Sequence, residues 1–169
     1  NPGSSTTAQQ QMTLVNSTAT ITESTVTDGN VCISVLKGSD LDIEGSTINS
    51  GFSDCIQADS SRIHLESTTI SDAGESGIHL DKSELFSMDS DLISNGAGSG
   101  GLKFSSIFMN SSKATWEGGS VMDSADAHFH LRGSRIRCGN ATLGTSGNNP
   151  VILDDGSSAE YMNIPAPIN

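Results

Sequence analysis

The chain has 169 residues, of which 34% are hydrophobic and 4% aromatic, against about 45–50% apolar in ordinary globular domains; this argues against a helical bundle or a thick α/β core. Lys+Arg 8 against Asp+Glu 20 leaves a formal charge of −12, a field that repels phosphate backbones and anionic lipid heads and so argues against a nucleic-acid partner. No apolar stretch approaches the ~20 residues of a membrane helix, so no membrane insertion of this segment is expected, and an export signal is expected to lie outside it.

Residues 1–9 carry no alternating pattern and read as an N-terminal linker or cap. From Met12 onward, apolar residues recur in i, i+2 pairs, the strand period and not the helical one. Met12/Leu14, Ala19/Ile21 and Val26 are followed by Ile33/Val35, Leu41/Ile43 and Ile48, then by Ile56/Ala58, Ile63/Leu65 and Ile70, then by Ile78/Leu80, Leu85/Ser87 and Leu92. The segments ITESTVTD from Ile21, IEGSTINS from Ile43 and LESTTISD from Leu65 start 22 residues apart, and Val26, Ile48, Ile70 and Leu92 keep that step. Between Leu92 and Val121 the step lengthens to 29, so seven residues must loop out. They are expected partly in GAGSGG (Gly96 to Gly101) and partly around Ile107 to Lys113, with Leu102/Phe104 as that coil's inward pair. The period then returns through Ala114/Trp116, Phe129/Leu131, Ile136/Cys138, Leu143 and Val151/Leu153. Residues 10–163 form one domain on this reading, and residues 164–169 a C-terminal tail.

Three short strands per repeat, separated by Gly, Ser, Asn and Asp where turns need a permissive backbone, bury every apolar row only if the chain coils and each strand lies beside its equivalent in the next turn. The expected fold is all-β: a parallel β-helix, a solenoid of about seven coils with a period of about 22 residues. The rows GIHLDKSELFSMDSDLISNG (Gly77 to Gly96) and DCIQADSSRIHLESTTISDAG (Asp54 to Gly74) resemble the right-handed β-helix of the pectate-lyase superfold, and the resemblance implies a right-handed parallel β-helix. That superfold serves pectinolytic enzymes, alginate epimerases, phage tailspikes and bacterial autotransporter passengers. The acidic, Ser/Thr/Gly-rich composition and rungs such as KATWEGGSVMDS (Lys113 to Ser124) are most similar to a passenger or adhesin segment. The resemblance implies a chain that is part of a longer secreted or cell-surface rod.

Residues between and after the inward pairs of the first strand project outward. One column reads Thr13, Ser34, Gln57, His79, Lys103, His130 and Ile152; the next reads Val15, Asp59, Asp81, Ser105, Arg132 and Asp154. This gathers Asp59, His79, Asp81, Lys103, His130 and Arg132 on one face as candidate binding residues. Neighbouring carboxylates such as Asp59 and Asp81 can divide acid and base roles, as glycoside hydrolysis requires, while Lys103 and Arg132 can neutralise a uronate and acidify its α-proton. The alternative is a solvated polar surface, and on that reading no residue is catalytic. His79 and His130 would sit across the Lys103 turn, roughly 10 Å apart, so no zinc site and no cofactor is read. Cys32 and Cys55 precede equivalent residues in adjoining coils, within Cα reach of a disulfide or as two stacked thiols; Cys138 and Trp116 read as core.

Two functions follow. One is a non-catalytic extracellular module for adhesion or surface binding, whose partner is a glycan or a host or cell-surface protein, with self-association through open strand edges a further expectation. The other is a carbohydrate-active enzyme or tailspike-like protein, a lyase, hydrolase or epimerase acting on an acidic glycan at the outer face of the first sheet.

Overall fold

The computed structural model describes residues 10–96, 105–147 and 150–164. Its first coil contains Met12–Val15 (β1), Thr18–Thr22 (β2) and Thr25–Thr27 (β3), and the second Ile33–Leu36 (β4), Asp40–Glu44 (β5) and Thr47–Asn49 (β6). The third has Ile56–Asp59 (β7), Arg62–Glu66 (β8) and Thr69–Ser71 (β9), and the fourth Ile78–Asp81 (β10), Glu84–Met88 (β11) and Asp91–Ile93 (β12). The fifth has Ser105–Asn110 (β13), Lys113–Glu117 (β14) and Ser120–Met122 (β15), and the sixth Ala127–Arg132 (β16), Arg135–Gly139 (β17) and Thr142–Leu143 (β18). Val151–Asp154 (β19) and Ser158–Met162 (β20) begin a seventh.

Equivalent strands pair in parallel, giving three sheets along the axis: β1-β4-β7-β10-β13-β16-β19, β2-β5-β8-β11-β14-β17-β20 and β3-β6-β9-β12-β15-β18. The rows expected from the sequence are the registers observed: Ile21 pairs with Ile43 and Ile43 with Leu65, and Val26, Ile48, Ile70, Leu92, Val121 and Leu143 form one column. At about 4.8 Å per rung the rod is about 30 Å long. The interior members of these columns are almost free of solvent, the end members Ile21, Val26 and Leu143 are half-buried, and Trp116 and Phe129 are the largest side chains of the core. Ser87 and Cys138 lie directly beside Trp116 in the neighbouring strands, so two small side chains leave room for the indole where three large ones would overfill the rung.

The corners explain why so polar a sequence folds. Between the first and second strands a residue with positive φ turns the chain, as at Asn16, Lys37, Ser60, Lys82, Ser111, Gly133 and Asp155, and a serine closes the bend. Each serine amide donates to the hydroxyl of the serine one coil further on: Ser17 to Ser39 (3.2 Å), Ser39 to Ser61 (3.2 Å), Ser61 to Ser83 (3.1 Å), Ser83 to Ser112 (3.0 Å), Ser112 to Ser134 (2.9 Å) and Ser134 to Ser157 (3.1 Å). Every hydroxyl in turn donates to a carbonyl just upstream in its own coil, as Ser61 does to Asp59 at 2.8 Å. The ladder satisfies amides that the bend removes from the sheets, offsetting the roughly 1–2 kcal/mol that a left-handed backbone costs a residue with a Cβ. Shorter versions line the second corner, where the Thr68 amide donates to Ser90, and the third, where the Ala73 amide donates to the Asn95 side chain.

The fifth coil departs from the sequence reading. Its inward pair is Ile107/Met109, which stacks on Ile78/Leu80 and Phe129/Leu131. Ile107 to Lys113 is therefore strand and corner, not extruded loop, and all seven extra residues fall between Ile93 and Ser105. Leu102, Lys103 and Phe104 lie outside the described residues. Ser105, expected on the outer face, is buried and pairs with Ala127.

Candidate functional site

The outer face of the first sheet carries two columns side by side. The first runs Thr13, Ser34, Gln57, His79, Phe108, His130, Ile152, and the second Val15, Leu36, Asp59, Asp81, Asn110, Arg132, Asp154. Phe108 and Asn110 thus hold the rung assigned from sequence to Lys103 and Ser105. The corner spacing was the signal that could have found them. Ala58 to Ile63, Leu80 to Leu85 and Leu131 to Ile136 are each five residues, and stepping back five from Ala114 gives Met109, not Phe104.

Phe108 organises the face. Its ring meets His79 edge-on at 5.0 Å and His130 edge-on at 5.2 Å, an arrangement that sets positive ring edges against negative faces. Each imidazole then has a carboxylate: His79 Nδ1 lies 3.2 Å from Asp54 Oδ2, and His130 Nε2 lies 3.1 Å from Asp154 Oδ2. Asp54, which no sequence argument singled out, is buried and also accepts from the Ser76 amide at 3.0 Å. Arg132 sits 3.7 Å from Asp154, with its guanidinium 5.9 Å from the Phe108 ring. The result is an Asp–His–Phe–His–Asp ladder across neighbouring rungs, with His130 only 3% exposed where a solvent-facing residue was expected.

The structure does pair Asp59 with Asp81 in register. Asp59 accepts from the Ser60 hydroxyl at 2.9 Å, and Asp81 accepts from Asn110 Nδ2 at 3.1 Å with Lys82 Nζ at 3.9 Å. Arg132 is two rungs from Asp81, across Asn110. The five candidates among the described residues, Asp59, His79, Asp81, His130 and Arg132, therefore share a face without converging. Lys103 lies outside the described residues.

A different face is open. The outer side of the second sheet forms a shallow trough of about 610 Å³ over β2, β5, β8, β11 and β14. One column there alternates in sign, Asp40, Arg62, Glu84, Lys113, and the next runs Asp42, His64, Phe86, Thr115. Arg62 grips Asp40 through two bonds of 2.7 and 3.1 Å, and Lys113 lies 3.9 Å from Glu84. His64 stands 3.5 Å from Asp42 and packs its ring 5.2 Å from that of Phe86, which remains 45% exposed.

A family of proteins described as the right-handed beta helix region matches residues 5–107 of this sequence. The chain belongs to that family. No curated protein matches it. Among solved structures, HetL, a pentapeptide repeat protein involved in heterocyst differentiation regulation from the cyanobacterium Nostoc, aligns at 10% identity over 89% of this chain and 87% of its own, with a TM-score of 0.17; an overlap so low carries no argument.

Two further groups inside the right-handed β-helix bear on chemistry. His128 is buried, and its Nε2–H donates to the Gly144 carbonyl at 3.0 Å. Its Nδ1 therefore accepts from the Ser124 hydroxyl at 2.7 Å, and Ser124 accepts from Ser106 at 2.6 Å. Burial lowers the pKa of His128 below its ordinary 6.5, which keeps this chain of hydroxyls and imidazole neutral. Cys32 and Cys55 are both buried free thiols, donating to the carbonyls of Asn49 (3.2 Å) and Ser71 (3.3 Å). The interaction between the two thiols holds Cys32 down and, together with burial, pushes Cys55 up. Cys138, buried beside Trp116, is raised to about 12 by desolvation. Among the described residues no group of three or more His, Cys, Asp and Glu is placed to hold a metal ion.

Proposed function

We propose that this β-helix is a non-catalytic module of a secreted or cell-surface protein, an adhesin-like or autotransporter-passenger-like rod that binds a glycan or cell-surface protein along its flank. One observation carries the reading: on the first sheet His79, His130 and Arg132 are each tied to a carboxylate instead of converging with the other acids on an open groove. His79 is engaged by Asp54, and His130 and Arg132 by Asp154. General acid–base work needs a group within hydrogen-bond reach of a reacting atom, and an imidazole shut between a phenyl ring and a carboxylate serves packing first. The acidic, Ser- and Thr-rich surface supports an extracellular setting, since a rod exposed along its whole length relies on charge for solubility.

A specific observation keeps a second reading in view. Asp59 and Asp81 are adjacent and reachable, as in a carbohydrate-active enzyme for acidic glycans. Yet they stand side by side on one face, whereas glycoside hydrolysis places its two carboxyl groups on either side of the scissile bond. The test is capture on glycan arrays and on intact cell surfaces, run beside incubation with polyuronates and neutral polysaccharides. Binding without release of unsaturated products or reducing ends is expected. Product formation that disappears in Asp59→Asn or Asp81→Asn replaces the module with the enzyme.

A further inference from the structure

We infer that the trough on the second sheet is a subsite for an uncharged, unbranched glycan lying along the rod axis, with Phe86 as its stacking platform. This rests on the binding-module reading and names the ligand class and the face. Phe86 presents an exposed ring amid polar groups, and His64 fixes its tilt from the rung before at an interplanar angle of 49°. An aromatic platform with a hydrogen-bonding rim matches a pyranose, whose one face is lined with C–H groups and whose edge carries hydroxyls.

Charge decides between classes of glycan. Within a chain of formal charge −12, both cations of the trough are already engaged: Asp40 is matched by Arg62 and Glu84 by Lys113, while Asp42 beside His64 adds a further carboxylate. A uronate or sulfated sugar would have to break one of these pairs and meet the overall negative field. A neutral sugar uses them as they stand, because an ion-paired carboxylate keeps spare lone pairs and the cations keep spare N–H groups. Geometry favours a chain over a single sugar. Rungs repeat every 4.7–4.9 Å or so, close to the length of one pyranose unit, so successive sugars meet equivalent positions from Asp42 to Thr115. A peptide fits less well, since the interior strands of this sheet offer no free edge: β5, β8, β11 and β14 are each paired on both sides, and extended peptides dock by adding to an edge.

The test titrates the ¹⁵N-labelled chain with unbranched hexasaccharides of glucose, mannose and N-acetylglucosamine, with a galacturonate hexasaccharide as the acidic comparator. At least one neutral hexasaccharide should shift the amides of Asp42, His64, Phe86 and Thr115, with little change on raising the salt. Phe86→Ala should weaken that binding at least about tenfold, the scale of a lost aromatic anchor. Phe86→Leu, which keeps apolar cover, and Lys113→Ala, at the rim, test the same site if the alanine variant unfolds. Silence from all three neutral sugars, shifts confined to another face, binding of galacturonate alone, or variants that bind like the parent would each overturn the inference. If the neutral panel is silent while cell-surface capture persists, the module reading stands and only the ligand assignment fails. Loss of both removes both.

Discussion

Replacing Ser83 by alanine tests the claim that hydroxyl ladders, and not apolar rows alone, hold these coils together. Ser83 is 2% exposed. Its hydroxyl accepts from the Ser61 amide at 3.1 Å and donates to the Asp81 carbonyl at 2.8 Å. In Ser83→Ala the carbonyl keeps the Ser60 amide as a donor at 2.9 Å, but the buried Ser61 N–H loses its acceptor. An orphaned buried donor costs about 1–3 kcal/mol and a lost hydrogen bond about 1; with the hydroxyl's own desolvation removed, a net loss of about 2 kcal/mol follows. For a chain of this size that is a fall of roughly 4–8 °C in Tm. Ser17→Ala is the matched control: Ser17 is exposed, and its hydroxyl donates to the Val15 carbonyl at 2.9 Å while accepting from no amide among the described residues. Its cost should stay within about 0.5 kcal/mol. Urea denaturation gives both values, and hydrogen exchange at the Ser61 amide reports the orphan directly. Equal costs for the two variants, or an unchanged Ser61 exchange rate in Ser83→Ala, would refute the ladder as a source of stability.

Gly119 has φ +64°, and a Cβ there would lie 1.8 Å from the Ser90 carbonyl oxygen; Gly119→Ala should cost about 3 kcal/mol from left-handed strain and overlap. Gly38→Ala, with φ +76° and open space around it, should cost only about 1; comparing the two denaturation midpoints checks this. His128, whose folded pKa is lowered by burial, must shed its proton to fold, so the unfolded state binds more protons below about pH 6.5 and stability should fall as the pH drops through that value. His128→Gln should flatten this component of a Tm series from pH 7.5 to 5. Equivalent Cβ atoms on neighbouring parallel strands lie about 4.8 Å apart, beyond the ~3.8 Å typical of a disulfide, so Cys32 and Cys55 should stay thiols. Alkylation in denaturant without reductant should label all three cysteines, and an intact mass two hydrogens lighter, with only one label, would show the bridge instead.

The sequence by itself determined the coil. A step of 22 residues and inward pairs at i, i+2 are countable without coordinates, because a solenoid stacks each residue on its equivalent and turns a long-range contact into a fixed offset along the chain. Ile21, Ile43 and Leu65 fell into one column for that reason. The break in the period was legible in length but not in place. Leu102/Phe104 and Ile107/Met109 are both apolar i, i+2 pairs, and periodicity alone does not choose between them. The five-residue corner ending at Ala114 chooses, since the bend and its serine must sit directly above those of the coil before.

The pair Leu102/Phe104 would set Lys103 on the outer face and make it a cationic site, whereas Ile107/Met109 sets Phe108 there, between His79 and His130. What only the tertiary structure decided was which polar groups meet. Asp154 reaches His130 as a diagonal neighbour, two residues along β19 from the register partner Ile152, but Asp54, which lies ahead of β7, reaches His79 from 25 residues away, an offset that no strand register supplies. Such a pairing depends on how a corner folds over a face, and side-chain reach across a corner is a property of three dimensions that no repeat length encodes.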